Sequence, residues 1–435
     1  MEKMADVLGR AGAWCGQNKY LSAIKNAFQT FMPLTIAGAI AVLWCNVLVH
    51  AETGLGALWS PIMALEFLNP AFSAIQFATI SCITVAITFG VAQEIGMWNI
   101  GAEKAGYIPG ILGLACWLSV TQYSFDFGSD ITFTGISGDA LGATGLFTGM
   151  IIAVLSIEIF CALGKMNALK IKMPETVPPG VARGFADLIP AFLTLTIISL
   201  IGLACYNMTN GLYLNDVIAV FIQGPLGSLG ASIPGVMIIY TTIMLFWLVG
   251  IHGNNMLAAV KESLFTPLML QNMENFDNGK PAEHIFTMAW LQMFGEFGGS
   301  GVTIGLVLAI FIFSKREDNR AVATLSFVPG IFNINETVTF GIPMVLNPIL
   351  GIPFVIAPLV TMIVGYILTV IGFSPLTVLT VPWTIPPILM GFLATGASIM
   401  GAVAQLIAII VSVVVYAPFL IIYERQQNKE ALQAK

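Results

Sequence analysis

The chain has 435 residues, of which 57% are hydrophobic and only 9% charged. A soluble domain carries about 25% charged residues, so this composition describes a polytopic membrane protein and excludes a soluble enzyme. The net charge of −6 gives nucleic-acid binding no electrostatic support.

A helix that crosses a bilayer needs about 20 mostly apolar residues. That criterion predicts spans at 28–49, 73–93, 106–122, 142–163, 186–208, 232–251, 345–371 and 397–423, an all-α architecture. Two more stretches, 288–313 and 373–395, are apolar but broken by Gly or Pro. The first 27 residues carry Lys3, Arg10, Lys19 and Lys25 and lack the short apolar region and cleavage site of a signal peptide.

Further basic clusters occur at Lys165, Lys170, Lys172 and Arg183, at Lys315, Arg316 and Arg320, and from Arg425 to Lys435. The positive-inside rule places them, and both termini, in the cytoplasm. Asp126, Asp130 and Asp139 then fall outside. One inconsistency remains. Three apolar stretches lie between Arg183 and Lys315, and three crossings cannot join two cytoplasmic loops. Either 212–230 or "NMLAAVKESLFTPLML" (255–270) supplies another passage, or one element does not cross. Transporters build their sites from such broken segments. Residues 1–210 therefore read as scaffold and 211–435 as the transport region, with no soluble catalytic domain attached.

Four stretches could carry chemistry, and one is a connector. "MPETVPPGVARGF" (173–185) is predicted to be a rigid cytoplasmic link, with Arg183 anchoring the next span. In "LFWLVGIHGNN" (245–255) an apolar span runs into His252, Gly253, Asn254 and Asn255, with Trp247 five residues before the histidine. Histidine can donate, accept and titrate near neutrality, and the tryptophan offers a sugar ring an apolar face. The competing reading anchors both at the membrane interface. "GEFGGSGVTIG" (295–305) surrounds Glu296 with five glycines, which favours close helix packing over a ligand role. "FVPGIFNINETVTFGIPMVLNP" (327–348) sets Asn333, Asn335 and Glu336 between Pro329, Gly330, Gly341, Pro343 and Pro348. Helix cannot persist through it, and a carboxylate at bilayer depth needs a partner or a wet cavity. Ligand contact by all three is the reading adopted, with the two asparagines and the glutamate forking onto vicinal hydroxyls. In "VPWTIPPILMGF" (381–392) three prolines stiffen the surroundings of Trp383, a second stacking surface or an interface anchor.

The six cysteines, Cys15, Cys45, Cys82, Cys116, Cys161 and Cys205, form no CxxC pair. They read as small buried hydrophobes that carry no phosphate. No metal site and no cofactor is predicted.

Taken in order, "MPETVPPGVARGFADLIP", "GIHGNN", "GGSGVTIGL", "GIFNINETVTFGIPMVLNP" and "VPWTIP" make the chain resemble a known family along essentially its whole length. It is the membrane-embedded IIC component of the phosphoenolpyruvate-dependent phosphotransferase system, lactose/cellobiose/diacetylchitobiose branch. The resemblance implies a homodimeric permease of the bacterial inner membrane with ten spans and two re-entrant hairpins. The C-terminal half would bind a β-linked disaccharide (cellobiose, diacetylchitobiose or lactose). A phosphocysteine on a separate IIB protein, itself supplied by IIA, would phosphorylate the sugar, and this chain would not be phosphorylated. The family's catalytic histidine and glutamate fall on His252 and Glu336, near the hydroxyl that receives phosphate, and its stacking tryptophans on Trp247 and Trp383. Gly253, Asn254, Asn333 and Asn335 complete the expected sugar site. His252 is expected to face the cavity from the side opposite Glu336. The residues alone also allow a proton-coupled disaccharide symporter, with Glu336 and His252 as the relay.

Overall fold

The computed structural model describes residues 17–51, 56, 59–126, 132–174, 176–223, 232–342, 344 and 347–433. Cys15, Lys3, Arg10, Asp130, Pro343 and Lys435, each named above, lie outside them. The architecture is helical, with one small hairpin pairing Ser124–Asp126 antiparallel to Thr132–Thr134 in the loop after the third predicted span.

The first helix, Lys19–Leu43, starts where Asn18 accepts hydrogen bonds from the Tyr20 and Leu21 amides, both at 3.1 Å. Such a cap satisfies donors that a helix start leaves orphaned. Lys19 reaches across to Glu158 at 2.6 Å, tying this start to the helix Leu146–Gly164. The predicted span 73–93 is two pieces: a segment ending in a wide turn at Phe77–Ser81, then Ile83–Ile100, bent by 42°. Ile108–Val120 and Pro179–Met208 complete the first half. The latter begins inside the predicted connector, and Arg183 donates to the Lys104 carbonyl at 3.2 Å.

The second half is irregular. Ile233–Leu248 gives way at Gly250 (φ +81°) to a turn, the short helix Gly253–Met256 and then Ala258–Asp277. The stretch 255–270 is thus helical, in a 20-residue helix that carries Lys261 and Glu262. The part of 212–230 that is described is a short turn of helix, Leu214–Ile218, running into Ala219–Gln223. Met288–Val302 and Ile304–Phe313 meet at 63°. Residues 371–388 hold no helix, and only Leu389–Ala394 of the stretch 373–395 is helical. Gly351–Val370 and the 35-residue helix Ile399–Gln433 follow. Among the described residues, five helices are long and apolar enough to cross a membrane, or up to seven when each bent pair counts as one span. Outside the spans, Arg316 bonds Asp318 at 2.5 Å, and that hydrogen bond holds the Asp318 carboxyl below the usual range.

Buried apolar residues form two large clusters. One gathers Ala23 to Ile218 with Leu270, Met273, Val378 and Leu379. The other gathers Val236 to Tyr423. Broken backbone between helices must still satisfy its N–H and C=O groups, and buried amides from distant elements do so. Asn272 accepts from the Glu283 and His284 amides and donates to the His284 and Thr377 carbonyls. Gln405, on the last helix, accepts from Ile388 and Gly391 at 2.7 Å each and donates to the Met293 carbonyl at 3.1 Å.

Candidate functional site

A cavity of about 640 Å³ opens where the broken segments meet, within the roughly 300–1,000 Å³ range of small-molecule sites. Its walls come from the 252–262 turn and helix, the 288–300 break, the 333–336 break, Trp383 and Met390. Gln29, on the first helix, closes it from the scaffold side.

The break at 333–336 is fixed by its own asparagines. Asn333 sits at φ +63°, a backbone region asparagine tolerates better than most residues. Its Oδ1 accepts from the Gly298 amide at 2.6 Å. Its Nδ2 donates to the Trp383 carbonyl at 2.5 Å and the Ile385 carbonyl at 3.0 Å. Asn335 donates to the Ser300 carbonyl and the Thr339 hydroxyl, at 3.0 and 3.1 Å. Beside it, Gly299 (φ +89°) has no room for a side chain, since a Cβ there would lie 2.5 Å from Asn335 Cβ. Both asparagines line the cavity, but their amide donors are committed to holding three chain segments together. The expected fork onto vicinal hydroxyls is corrected accordingly: neither amide has a free donor to offer.

Glu336 follows this latch with its side chain about half exposed to the cavity. His252 lies beside it, Nε2 to Oε1 4.0 Å, and not across the cavity from it. The His252 ring accepts at Nδ1 from the Asn255 amide at 3.3 Å. A backbone N–H can only donate, so in the neutral ring the proton sits on Nε2, facing Glu336. Gly253 does not line the cavity. It opens the short helix at the point where a Cβ would lie 2.0 Å from the Ile243 carbonyl.

The two tryptophans differ. Trp383 is 46% exposed and lines the cavity. Trp247 is 3% exposed, packs its ring against His252 at 4.4 Å between centroids, and does not line the cavity. The expected sugar-stacking face at Trp247 is therefore corrected to a buried support for the histidine.

The glycines of 295–305 do pack closely, but Glu296 among them belongs to the cavity wall. Its Oε1 accepts from Tyr240 Oη at 2.8 Å and Asn254 Nδ2 at 3.3 Å, and it pairs with Lys261. Lys261 is a site residue beyond those the sequence motifs point to. Its signal is a Lys-Glu pair set between the mostly apolar stretches 256–260 and 264–270, where charges need partners. Glu262 also lines the cavity and accepts from Thr266 at 2.7 Å. Among the described residues, no group of three His, Cys, Asp or Glu is placed to hold a metal ion.

The family model described as Phosphotransferase system, EIIC matches residues 25–358. The chain is 35% identical over 424 residues to the PTS system oligo-beta-mannoside-specific EIIC component of Bacillus subtilis (strain 168), covering 96% of this chain and 93% of that one. It is 30% identical to the PTS system cellobiose-specific EIIC component of Lactococcus lactis subsp. lactis (strain IL1403), covering 98% of each. Its fold matches the crystal structure of the transporter ChbC, the IIC component from the N,N'-diacetylchitobiose-specific phosphotransferase system, with a TM-score of 0.87 and 32% identity over 96% of both chains.

Proposed function

The chain belongs to the phosphotransferase system EIIC family, and from that premise we propose that it is a bacterial inner-membrane permease that binds a β-linked disaccharide and presents it to phosphorylated EIIB. The observation that carries this reading is the pairing of Glu336 with His252 at the wall of a cavity large enough for two sugar rings. Cellobiose, lactose, diacetylchitobiose and oligo-β-mannosides, the sugars named for its relatives, all offer the ring faces and hydroxyls that this wall suits. Membership of a phosphotransferase family sets aside the proton-coupled symporter.

Trp383 would stack on one sugar ring, since its exposed face is the apolar surface a sugar's C–H groups prefer. The accepting hydroxyl would lie between Glu336 and His252. When phosphocysteine on EIIB docks, the hydroxyl oxygen attacks phosphorus, the P–S bond breaks, the cysteine thiolate leaves and the hydroxyl proton passes to Glu336. His252, with its proton on Nε2, donates to the same oxygen and orients it. General base catalysis of this kind contributes about 10²–10⁴ in rate. The same reading takes the ten spans, the two re-entrant hairpins, the cytoplasmic termini and the homodimer from the family. The reading also keeps 1–210 as scaffold and 211–435 as transport region, although the first apolar cluster draws in Ile218, Leu270, Met273, Val378 and Leu379 from the second half, and Gln29 reaches into the cavity.

The test is sugar uptake into vesicles containing the protein, with phosphorylated EIIB supplied or withheld. Phosphorylated disaccharide inside, appearing only with phosphorylated EIIB, is the expected result. Accumulation of unmodified sugar driven by a proton gradient would refute the proposal.

A further inference from the structure

We propose that Glu296 is a positioning residue that holds His252 beside Glu336, with Lys261 as the buried counter-charge that keeps it in place. The inference rests on the phosphoryl-transfer role given above to the pair His252 and Glu336. Those two residues are far apart in the chain, and their side chains approach only to 4.0 Å, too long for a hydrogen bond to hold them together. Among the described residues, no hydrogen bond runs directly between the turn 250–257 and the segment 333–336. A third element must therefore set the spacing on which the chemistry depends.

The break at 296–300 meets both sides. On one side, the Gly298 amide donates to Asn333 Oδ1 and the Ser300 carbonyl accepts from Asn335 Nδ2, which ties the break to the segment carrying Glu336. On the other, Glu296 Oε1 accepts from Asn254 Nδ2 at 3.3 Å, in the short helix that His252 caps. The imidazole is fixed to that same turn, since its Nδ1 takes the Asn255 amide. Where the turn goes, the ring goes. Glu296 also accepts from Tyr240 Oη at 2.8 Å and pairs with Lys261. Those two donors stand on the helix before the turn, Ile233–Leu248, and on the helix after it, Ala258–Asp277. One carboxylate thus gathers the turn and both of its flanking helices onto the break that holds the segment of Glu336.

A carboxylate suits this task because its charge-assisted hydrogen bonds are about twice as strong as neutral ones. The Glu296 side chain is 14% exposed and that of Lys261 8%, so removing either alone leaves an uncompensated charge away from bulk water. The consequence for catalysis is geometric. A displacement of about 1 Å at a reacting group can cost on the order of a hundredfold in rate. Positioning also has a signature of its own. A residue that acts only through His252 has nothing left to do once the imidazole is gone, whereas one that merely stabilises the fold weakens every background alike.

The experiment measures single-turnover phosphoryl transfer from phosphorylated EIIB to saturating cellobiose, diacetylchitobiose or lactose, with melting temperature on the same samples. It uses the full chain as wild type, K261M/E296L, K261M/E296Q and Asn254→Ala, each with His252 intact and with His252→Gln. K261M/E296L removes the charges and the acceptor together, a replacement of a buried pair that is often tolerated. K261M/E296Q removes the charges but keeps an amide oxygen for Asn254 and Tyr240. Asn254→Ala cuts the link to the turn and leaves the ion pair whole, so it carries the test if K261M/E296L does not fold. With His252 intact, K261M/E296L and Asn254→Ala should slow transfer by about tenfold to a hundredfold, and by no more than His252→Gln does. K261M/E296Q should recover most of that loss. In the His252→Gln background none of them should slow transfer further, because residues that act as a unit are not additive. A folded K261M/E296L or Asn254→Ala that keeps the wild-type rate overturns the inference and leaves the permease reading standing. So does one that slows the His252→Gln protein as much as it slows the wild type. A His252→Gln protein with the wild-type rate overturns the role of the histidine, and the inference with it. Wild type that transfers phosphate to none of the three sugars overturns the permease reading itself.

Discussion

Asn333→Ala should unlock the site without touching the groups that face the sugar. The side chain makes three hydrogen bonds, to the Gly298 amide and to the Trp383 and Ile385 carbonyls, and Asn333 is 8% exposed. Removing it strands a buried N–H and reduces the partners of two carbonyls. A stranded buried group costs about 1–3 kcal/mol, with the carbonyls at the low end because each has a second lone pair. Alanine also tolerates φ +63° less well than asparagine, by about 1 kcal/mol. The total is about 4–6 kcal/mol, a large share of the roughly 5–15 kcal/mol that keeps a domain folded. The assay is the melting temperature of the detergent-purified protein, followed by size-exclusion recovery after heating, alongside equilibrium sugar binding. Melting temperature and binding should fall together. Loss of binding with an unchanged melting temperature would mean that Asn333 meets the sugar directly, and the latch reading would be wrong.

Glu336→Gln should weaken sugar binding by about tenfold to a hundredfold through the lost charge-assisted acceptor, and slow single-turnover phosphoryl transfer by about 10²–10⁴; wild-type rates would remove it from the site. His252→Gln keeps a donor and should slow that step less than Glu336→Gln does, and an equal or larger loss at unchanged binding would assign the base to the imidazole instead. Trp383→Ala should weaken binding at unchanged melting temperature, whereas Trp247→Ala should cost about 3–5 kcal/mol of stability as a truncated buried aromatic, and calorimetry on the two variants separates these outcomes. Replacing all six cysteines by Ser or Ala should leave EIIB-dependent uptake intact, and a folded variant that cannot transfer phosphate would place the phosphocysteine on this chain.

The breaks that frame the cavity are legible in the sequence. Gly250, Gly253, the prolines around Glu336 and those around Trp383 all marked backbone that could not stay helical, and the structure brings those breaks to one cavity. Helix positions were readable for a similar reason, since apolar run length is a local property. Roles within the site were less legible. An asparagine in an apolar break can serve a ligand or a distant backbone, and the partners of Asn333 lie 35, 50 and 52 positions away. The sequence neighbours of Glu296 are glycines and point to helix packing, while its partners Tyr240, Asn254 and Lys261 come from other elements. Trp247 shows the same limit. Five residues from His252, it was close enough to share a ligand, yet it lies behind the histidine ring and not beside it.

Two kinds of polar residue therefore divide the work in the second half of the chain. Asn272, Asn333, Asn335 and Gln405 are amides, which carry donor and acceptor together and can complete a broken backbone on both sides. Carboxylates only accept, so they cannot replace these amides where a carbonyl needs a donor. That constraint suits Glu336, at the cavity wall beside His252, to a hydroxyl-rich ligand that would bring it donors, whereas Glu296 takes its donors from Tyr240, Asn254 and Lys261. The amides make the wall rigid. A substitution at one of these amides should therefore register first in stability, and one at Glu336 first in the fate of the sugar.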